Sequence, residues 1–170
     1  MSRSFHDDFV EHYNEHFVRL FRYLDRLSGD PDLAADIAQE SFVKLYQRGS
    51  LPDSPGAWLV TVAMNLFRNA HAMRERRSRL LKVVPEAATF ADRAVTPEHA
   101  GDAGDLSHRV RQALGALPER ERHMLLLRAE GYSYKEIAHA LDLQEASVGT
   151  LLARAKRAFR EHYGDRADAS

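Results

Sequence analysis

The residues best placed to do chemistry are cations set among amides and hydroxyls. Arg68, Arg74, Arg76, Arg77, Arg79 and Lys82 crowd one short stretch, with Glu75 the only acid among them and Asn65, Asn69 and His71 interleaved. Guanidinium and ammonium groups neutralise phosphates, while amides and imidazoles hydrogen-bond to base edges. A second stretch has the same character: Ser147, Gly149, Thr150, Arg154, Lys156, Arg157 and Arg160. Nucleic acid is the polyanion that both patterns fit. A solvated helical face explains either pattern too, although a helix dipole accounts for one or two terminal arginines better than for six cations.

Other chemistries find little support. His12 and His16 lie one helical turn apart and invite a shared metal, but no HExxH arrangement and no third ligand accompany them. They read as a solvated pair, and no metal site is expected. The chain has neither a glycine-rich phosphate loop nor a G-x-S-x-G elbow. No catalytic residue, no cofactor and no small-molecule substrate are expected.

Composition sets the frame. The chain has 170 residues, a net charge of −1 and 44% hydrophobic residues. That length suits one domain or two small ones. A neutral total means that a binding surface for DNA must be a local patch. With no cysteine, disulfides and thiolate metal sites are excluded. No apolar run approaches the roughly 18 residues that span a bilayer, and Met1–Asp8 lacks a signal-peptide core. These features predict a cytoplasmic protein that does not insert into membranes.

The elements that must position the cations are helices. Phe9, Tyr13, Phe17, Leu20, Phe21, Leu24 and Leu27 recur at steps of three and four and stop at Ser28-Gly29. Asp30-Pro31 is a cap followed by an N1 proline, opening a stripe of Leu33, Ile37, Ser41, Phe42 and Leu45. Ser54-Pro55 repeats the device before Trp58, Leu59, Val62, Ala63, Leu66 and Ala70. Trp58 reads as core. Between 85 and 106 periodicity is lost, and Glu86, Asp92, Glu98, Asp102 and Asp105 face only Arg93. This stretch is expected to be an acidic flexible linker. Extended, its twenty-odd residues reach about 70 Å at roughly 3.3–3.6 Å each. That is about two turns of duplex at ~34–36 Å per turn.

Helical pattern returns at Val110, Leu114 and Leu117, and Pro118 opens a helix with Met124, Leu125 and Leu127. Ser133 to Glu136 is a capping box for a short helix bearing Ile137, Ala138 and Leu141. After a turn of three or four residues, a longer helix places Val148, Leu152, Ala155 and Phe159 inward. A capped helix, a turn and a helix with a basic outer face make the helix-turn-helix plan. Four parts are therefore expected: a helical unit over 1–84, the linker over 85–106, a helix-turn-helix unit over 107–163, and a frayed tail over 164–170.

Several segments resemble one family in order and spacing. Asp36-Ile37-Ala38-Gln39-Glu40-Ser41-Phe42 is similar to the D-x-x-Q-E-x-F segment by which bacterial sigma factors bind core RNA polymerase. Pro55-Gly56-Ala57-Trp58-Leu59 with Ala63-Met64-Asn65-Leu66-Phe67-Arg68-Asn69 resembles the segment that follows it. Leu117 to Arg122 and Gly131 to Ala138 look like the opening of the sigma C-terminal domain. The likeness spans nearly the whole chain outside the linker. With only these two domains, it points to the extracytoplasmic-function (ECF) class.

The resemblance implies an all-α fold of two small domains and a non-enzymatic promoter-recognition subunit. Asp36, Gln39, Glu40 and Phe42 would dock on the clamp helices of the large polymerase subunit, whose flap is a further implied contact. Phe42 is equally readable as core. Asn65, Arg68, Asn69, His71, Arg74, Arg76 and Arg77 would meet the −10 element. Ser133, Lys135, Ser147, Gly149, Thr150, Arg154, Lys156 and Arg157 would meet the −35 element. An anti-sigma factor is an implied partner. The family's recognition helix carries a lysine and an arginine where this chain has Gly149 and Leu151. A bidentate arginine–guanine pair is worth about 1–3 kcal/mol of discrimination, so −35 specificity is expected to differ. A stand-alone helix-turn-helix regulator explains the C-terminal half but leaves the basic strip and the Asp36–Phe42 segment without a role. A pure protein-interaction module would show no salt-sensitive DNA binding at all.

Overall fold

A computed structural model describes residues 3–81 and 102–167, and the side chains of 3–81 and 104–164. These residues form seven α-helices and, among the described residues, no strand.

Local sequence sets the boundaries of the first three. Helix α1 (Phe5–Ser28) starts where the Ser4 hydroxyl accepts from the Asp7 amide at 3.2 Å. Helix α2 (Pro31–Arg48) starts where the Asp30 carboxylate accepts from the Leu33 amide at 3.1 Å, with Pro31 in its first turn. Gly29 and Gly49 follow these helices at φ 65° and 74°, a left-handed conformation that glycine adopts without a Cβ clash. Helix α3 (Pro55–Leu80) also begins with proline, but Ser54 makes no side-chain cap. The three pack around Leu20, Leu24, Leu27, Ile37, Phe42, Leu45, Leu59 and Val60, all buried. Ser41 is buried there as well; its hydroxyl is satisfied by donating to the Ile37 carbonyl at 2.7 Å.

Helices α4 (Asp102–Gly115), α5 (Glu119–Ala129), α6 (Tyr134–Leu141) and α7 (Glu145–Ala167) form the second unit. Leu117, Met124, Leu127, Ile137, Val148 and Leu152 fill its core. Arg122 ties the α4–α5 corner by donating to the carbonyls of Leu114, Gly115 and Leu117 at 3.1–3.3 Å. It thereby serves C-terminal carbonyls of α4 that have no helical partner.

Two expected boundaries move. Helix α4 already begins at Asp102, so residues 102–106 of the expected linker are helical. Asp102 and Asp105 lie at its N-terminal end, where the helix dipole favours acids. Residues 85–101 of that linker lie outside the described residues. Nor does the expected tail start at Gly164: α7 runs on to Ala167. Tyr163 stacks on Phe159 at 5.9 Å and lies beneath the Arg109 guanidinium of α4 at 4.9 Å, holding the end of the helix against the unit. Residues 168–170 lie outside the described residues.

The two units pack against each other, α1 on α5 and α3 on α6. Beyond the alternating patterns of single helices, this seam brings together groups about a hundred residues apart in sequence.

Candidate nucleic-acid and polymerase interface

Helix α2 turns Asp36, Gln39 and Glu40 to solvent on one face. Phe42 points the other way and is 2% exposed. Its ring meets those of Tyr13 at 4.9 Å, Phe17 at 5.9 Å and Phe9 at 6.3 Å. Of the four residues expected to touch a partner from this helix, Phe42 therefore supports the surface from beneath. Beside it, Val43 and Tyr46 stay half exposed and line a shallow apolar groove with Gln39 and Phe9.

The cationic half of α3 is less free than its sequence suggests. Asn65, Arg68, Asn69, Arg74, Arg76 and Arg77 are exposed, and His71 is half-buried against Phe67. Arg68 is paired with Glu119 of α5 at 3.1 Å. Arg74 reaches back to Asp30, the cap of α2, at 3.1 Å. His71 lies 3.3 Å from Glu75. Arg76 and Arg77 have no ion pair among the described residues, so they retain the most available charge. The Asp30 carboxyl is held below its ordinary pKa chiefly by the Leu33 amide, against a smaller burial penalty, with Arg74 adding to the effect. Trp58 is half-buried against the core, consistent with a packing role.

In the second unit, α6, the turn Asp142–Gln144 and α7 form the helix-turn-helix. Ser133 and Glu136 close a reciprocal capping box at 3.1 and 2.8 Å. Asp142 adopts φ 55°, a left-handed conformation that aspartate tolerates, and the next amide, of Leu143, returns to Ala138 O at 2.8 Å. Val148, Leu152 and Ala155 are buried, and Phe159 packs partly against the core. Ser147, Thr150, Arg154, Lys156 and Arg157 are exposed, as are Ser133 and Lys135 at the start of α6. Gly149 is half-buried; a Cβ there would meet Tyr134 Cε2 at 3.5 Å, an ordinary contact. No contact among the described residues therefore demands glycine at this position.

The seam between the units is polar and largely enclosed. The Tyr23 hydroxyl is hydrogen-bonded to His123 Nδ1, and both residues are buried. His123 Nε2 faces Glu119 at 3.4 Å. Burial holds the His123 pKa down to about 4, with Arg68 and Arg122 pushing the same way and Glu119 opposing them. Burial also pushes the Tyr132 hydroxyl up. The guanidinium of Arg19 lies 4.0 Å over the Tyr132 ring and donates to Glu136 Oε1 at 3.0 Å. Arg26 pairs with Glu130 nearby. Burial alone would raise the carboxyls of Glu119 and Glu136. Arg68 and His123 together outweigh it at Glu119, and the Ser133 amide with Arg19 outweighs it at Glu136, so both are held below the usual range. Gly56 permits the close approach: a Cβ there would lie 2.7 Å from Glu136 Oε1 and 2.9 Å from Arg19 Nη2.

Sequence reasoning missed this seam entirely, and it also missed Glu15, which the structure places beside both His12 and His16. The second omission had an available signal, because positions i, i+3 and i+4 share one helical face. No helix among the described residues is long and apolar enough to cross a membrane.

Comparison with known proteins follows the division into units. The profile of sigma-70 region 2 matches residues 12–77, and that of sigma-70 region 4 matches residues 107–159. The RNA polymerase sigma-H factor of Pseudomonas aeruginosa is 33% identical over 144 residues, which cover 79% of this chain and 75% of that one. The ECF RNA polymerase sigma factor SigL of Mycobacterium tuberculosis is 31% identical over 157 residues, covering 87% and 84%. Among solved structures, the sigma factor RpoE of Bartonella quintana, crystallised with the anti-sigma factor NepR, superimposes with a TM-score of 0.66. That match has 23% identity and covers 91% of this chain and 96% of RpoE, a likeness of fold.

Proposed function

The chain belongs to the ECF class of RNA polymerase sigma factors, and from that premise we propose how its surfaces divide the work of initiation. The observation that carries the proposal is the ordered pair of matches, region 2 on α1–α3 and region 4 on α4–α7. Each unit carries an exposed face suited to its task.

Asp36, Gln39 and Glu40 project from α2 toward the clamp helices of the large polymerase subunit, over the platform that Phe42 holds from below. The outer face of α3 meets the −10 element. Arg76 and Arg77 neutralise phosphates there, and Asn65 and Asn69 hydrogen-bond to bases of the opened strand. Helix α7 lies in the major groove at −35. Arg154, Lys156 and Arg157 position it on phosphates, which carry no sequence information. Ser147, Thr150 and the Gly149 backbone approach the bases.

The closed arrangement cannot hold both elements at once. Arg68, a −10 residue, is paired with Glu119 of the second unit at 3.1 Å. By their positions the two DNA elements lie about 25 base pairs apart, roughly 85 Å at ~34–36 Å per 10–10.5 base pairs. Engagement therefore requires the seam to part. A protein of the same fold is bound by an anti-sigma factor; a partner of that class would hold this chain inactive by covering the same exposed faces.

The test is transcription in vitro with purified protein, core polymerase and genomic DNA, followed by mapping of transcript starts. Discrete new starts that share sequence upstream support the proposal. Operator-like binding by the protein alone, with no new starts, would replace it with the regulator reading.

A further inference from the structure

Beside the seam, α1 places His12, Glu15 and His16 on one face, with one ligand atom from each within 4.8 Å of the others. His12 Nδ1 lies 3.8 Å and His16 Nε2 3.7 Å from the same Glu15 oxygen, Oε2. These separations are too long for hydrogen bonds. The two imidazoles stack in parallel, 5.5 Å between centroids and 3° between planes, so their edges face the same side of the helix. His12 Nδ1 is enclosed and has no hydrogen-bond partner among the described residues. A tetrahedral ion with bonds of about 2.0–2.1 Å holds adjacent donor atoms about 3.3 Å apart. Glu15 is 62% exposed and can move to shorten its two separations, while the two imidazoles must draw together by a small side-chain rotation. Two imidazoles and a carboxylate suit zinc and its neighbours in the first transition row better than calcium or magnesium.

We propose that His12, Glu15 and His16 form a binding site for a divalent cation of the zinc class, whose occupation releases Arg19 from the seam between the two units. The site stands on its own geometry. The release rests on the closed arrangement in the proposed function above.

Its chemistry follows from donor counting. Arginine cannot accept a hydrogen bond, so the 2.9 Å contact from Arg19 Nη2 makes His16 Nδ1 an acceptor and leaves the ring proton on Nε2. A cation on Nε2 requires that proton to move to Nδ1, because a neutral imidazole ligand carries it on the other nitrogen. Nδ1–H then faces an N–H of Arg19, donor against donor, with a positive ion behind it. Arg19 loses its His16 anchor while it is the group that joins α1 to Glu136 and Tyr132 across the seam. By linkage, opening the seam must tighten cation binding by the same factor that the cation favours opening.

The test uses the tag-free full chain and Zn²⁺ alone, measured by competition with a chromogenic chelator. Since the protein has no cysteine, Ser50→Cys and Glu161→Cys supply two unique dye positions, one on each unit, with both thiols capped by the dyes. One equivalent of Zn²⁺ is expected to bind. His12→Ala and Glu15→Gln, both outside the core, are expected to weaken binding at least about tenfold while leaving helicity unchanged. Zn²⁺ is expected to lower energy transfer in the parent and not in either variant. Absent binding, or binding that both variants leave unchanged, overturns the site. Variant-sensitive binding with constant energy transfer overturns the release. Neither polymerase nor DNA is present, so failure here is distinct from failure of the promoter reading.

Discussion

His123 is where acid should loosen the closed form. The residue is 3% exposed, its ring hydrogen-bonded to Tyr23 of α1 and flanked by Arg68 of α3 and by Glu119 and Arg122 of α5. Burial sets its pKa at about 4 against an ordinary 6.5. A depression of that size corresponds to roughly 3 kcal/mol at ~1.36 kcal/mol per pH unit. The sign follows from proton counting. Below pH 6.5 an exposed His123 takes up a proton that the closed form refuses, so acid favours opening. The stability that a neutral His123 lends the seam is complete above about 6.5. It falls away as pH drops from there to about 4 and changes no further below that. Between pH 7.5 and 5.5 the closing equilibrium should weaken about tenfold. The assay is imidazole NMR on the full chain, with energy transfer between dyes on Ser50→Cys and Glu161→Cys followed over the same pH range. His123→Gln should abolish the part of the energy-transfer change that falls between pH 6.5 and 4. Titration of His123 near 6.5 while the dyes report closed units would refute the reasoning, because the ring would then not be shielded by the seam.

The remaining expectations concern single side chains. Gly149→Ala should raise stability by about 0.5–1 kcal/mol, since the added Cβ makes only an ordinary contact with Tyr134; thermal unfolding measures this, and weakened promoter binding in the same variant would show close approach of DNA to the glycine. Phe42→Ala should cost about 3–5 kcal/mol by opening a cavity among Phe9, Tyr13 and Phe17. Asp36→Ala and Glu40→Ala should stay within about 0.5 kcal/mol of the parent and weaken core binding, a separation that denaturant unfolding and a polymerase binding assay read together. Arg76→Ala and Arg77→Ala should each reduce the salt dependence of promoter binding by the holoenzyme by about one phosphate contact, seen in the slope of log affinity against log salt.

Much of this protein was legible in the chain itself, because helix signals are local. Asp30-Pro31, Gly29, Gly49 and the Ser133–Glu136 box act within a few residues of themselves, and each sits at a helix end as its chemistry requires. The inward set Val148, Leu152 and Ala155 followed from a 3.6-residue repeat, and so did the outward set of α7. The His12–Glu15–His16 face was also within reach of that arithmetic, although the histidine pair by itself does not point to it. Phe42 was ambiguous until its ring neighbours were known, since an apolar residue within a motif serves a core or a partner equally well. What only the tertiary structure decided is the seam. Arg68 with Glu119, Tyr23 with His123 and Arg19 with Glu136 join residues 51, 100 and 117 positions apart. No periodicity encodes such pairs; they arise where the two units dock through side chains far apart in the chain. That docking engages Arg68 of α3 and keeps His123 neutral, and it does so because electrostatics depends on distance and burial rather than on order along the chain.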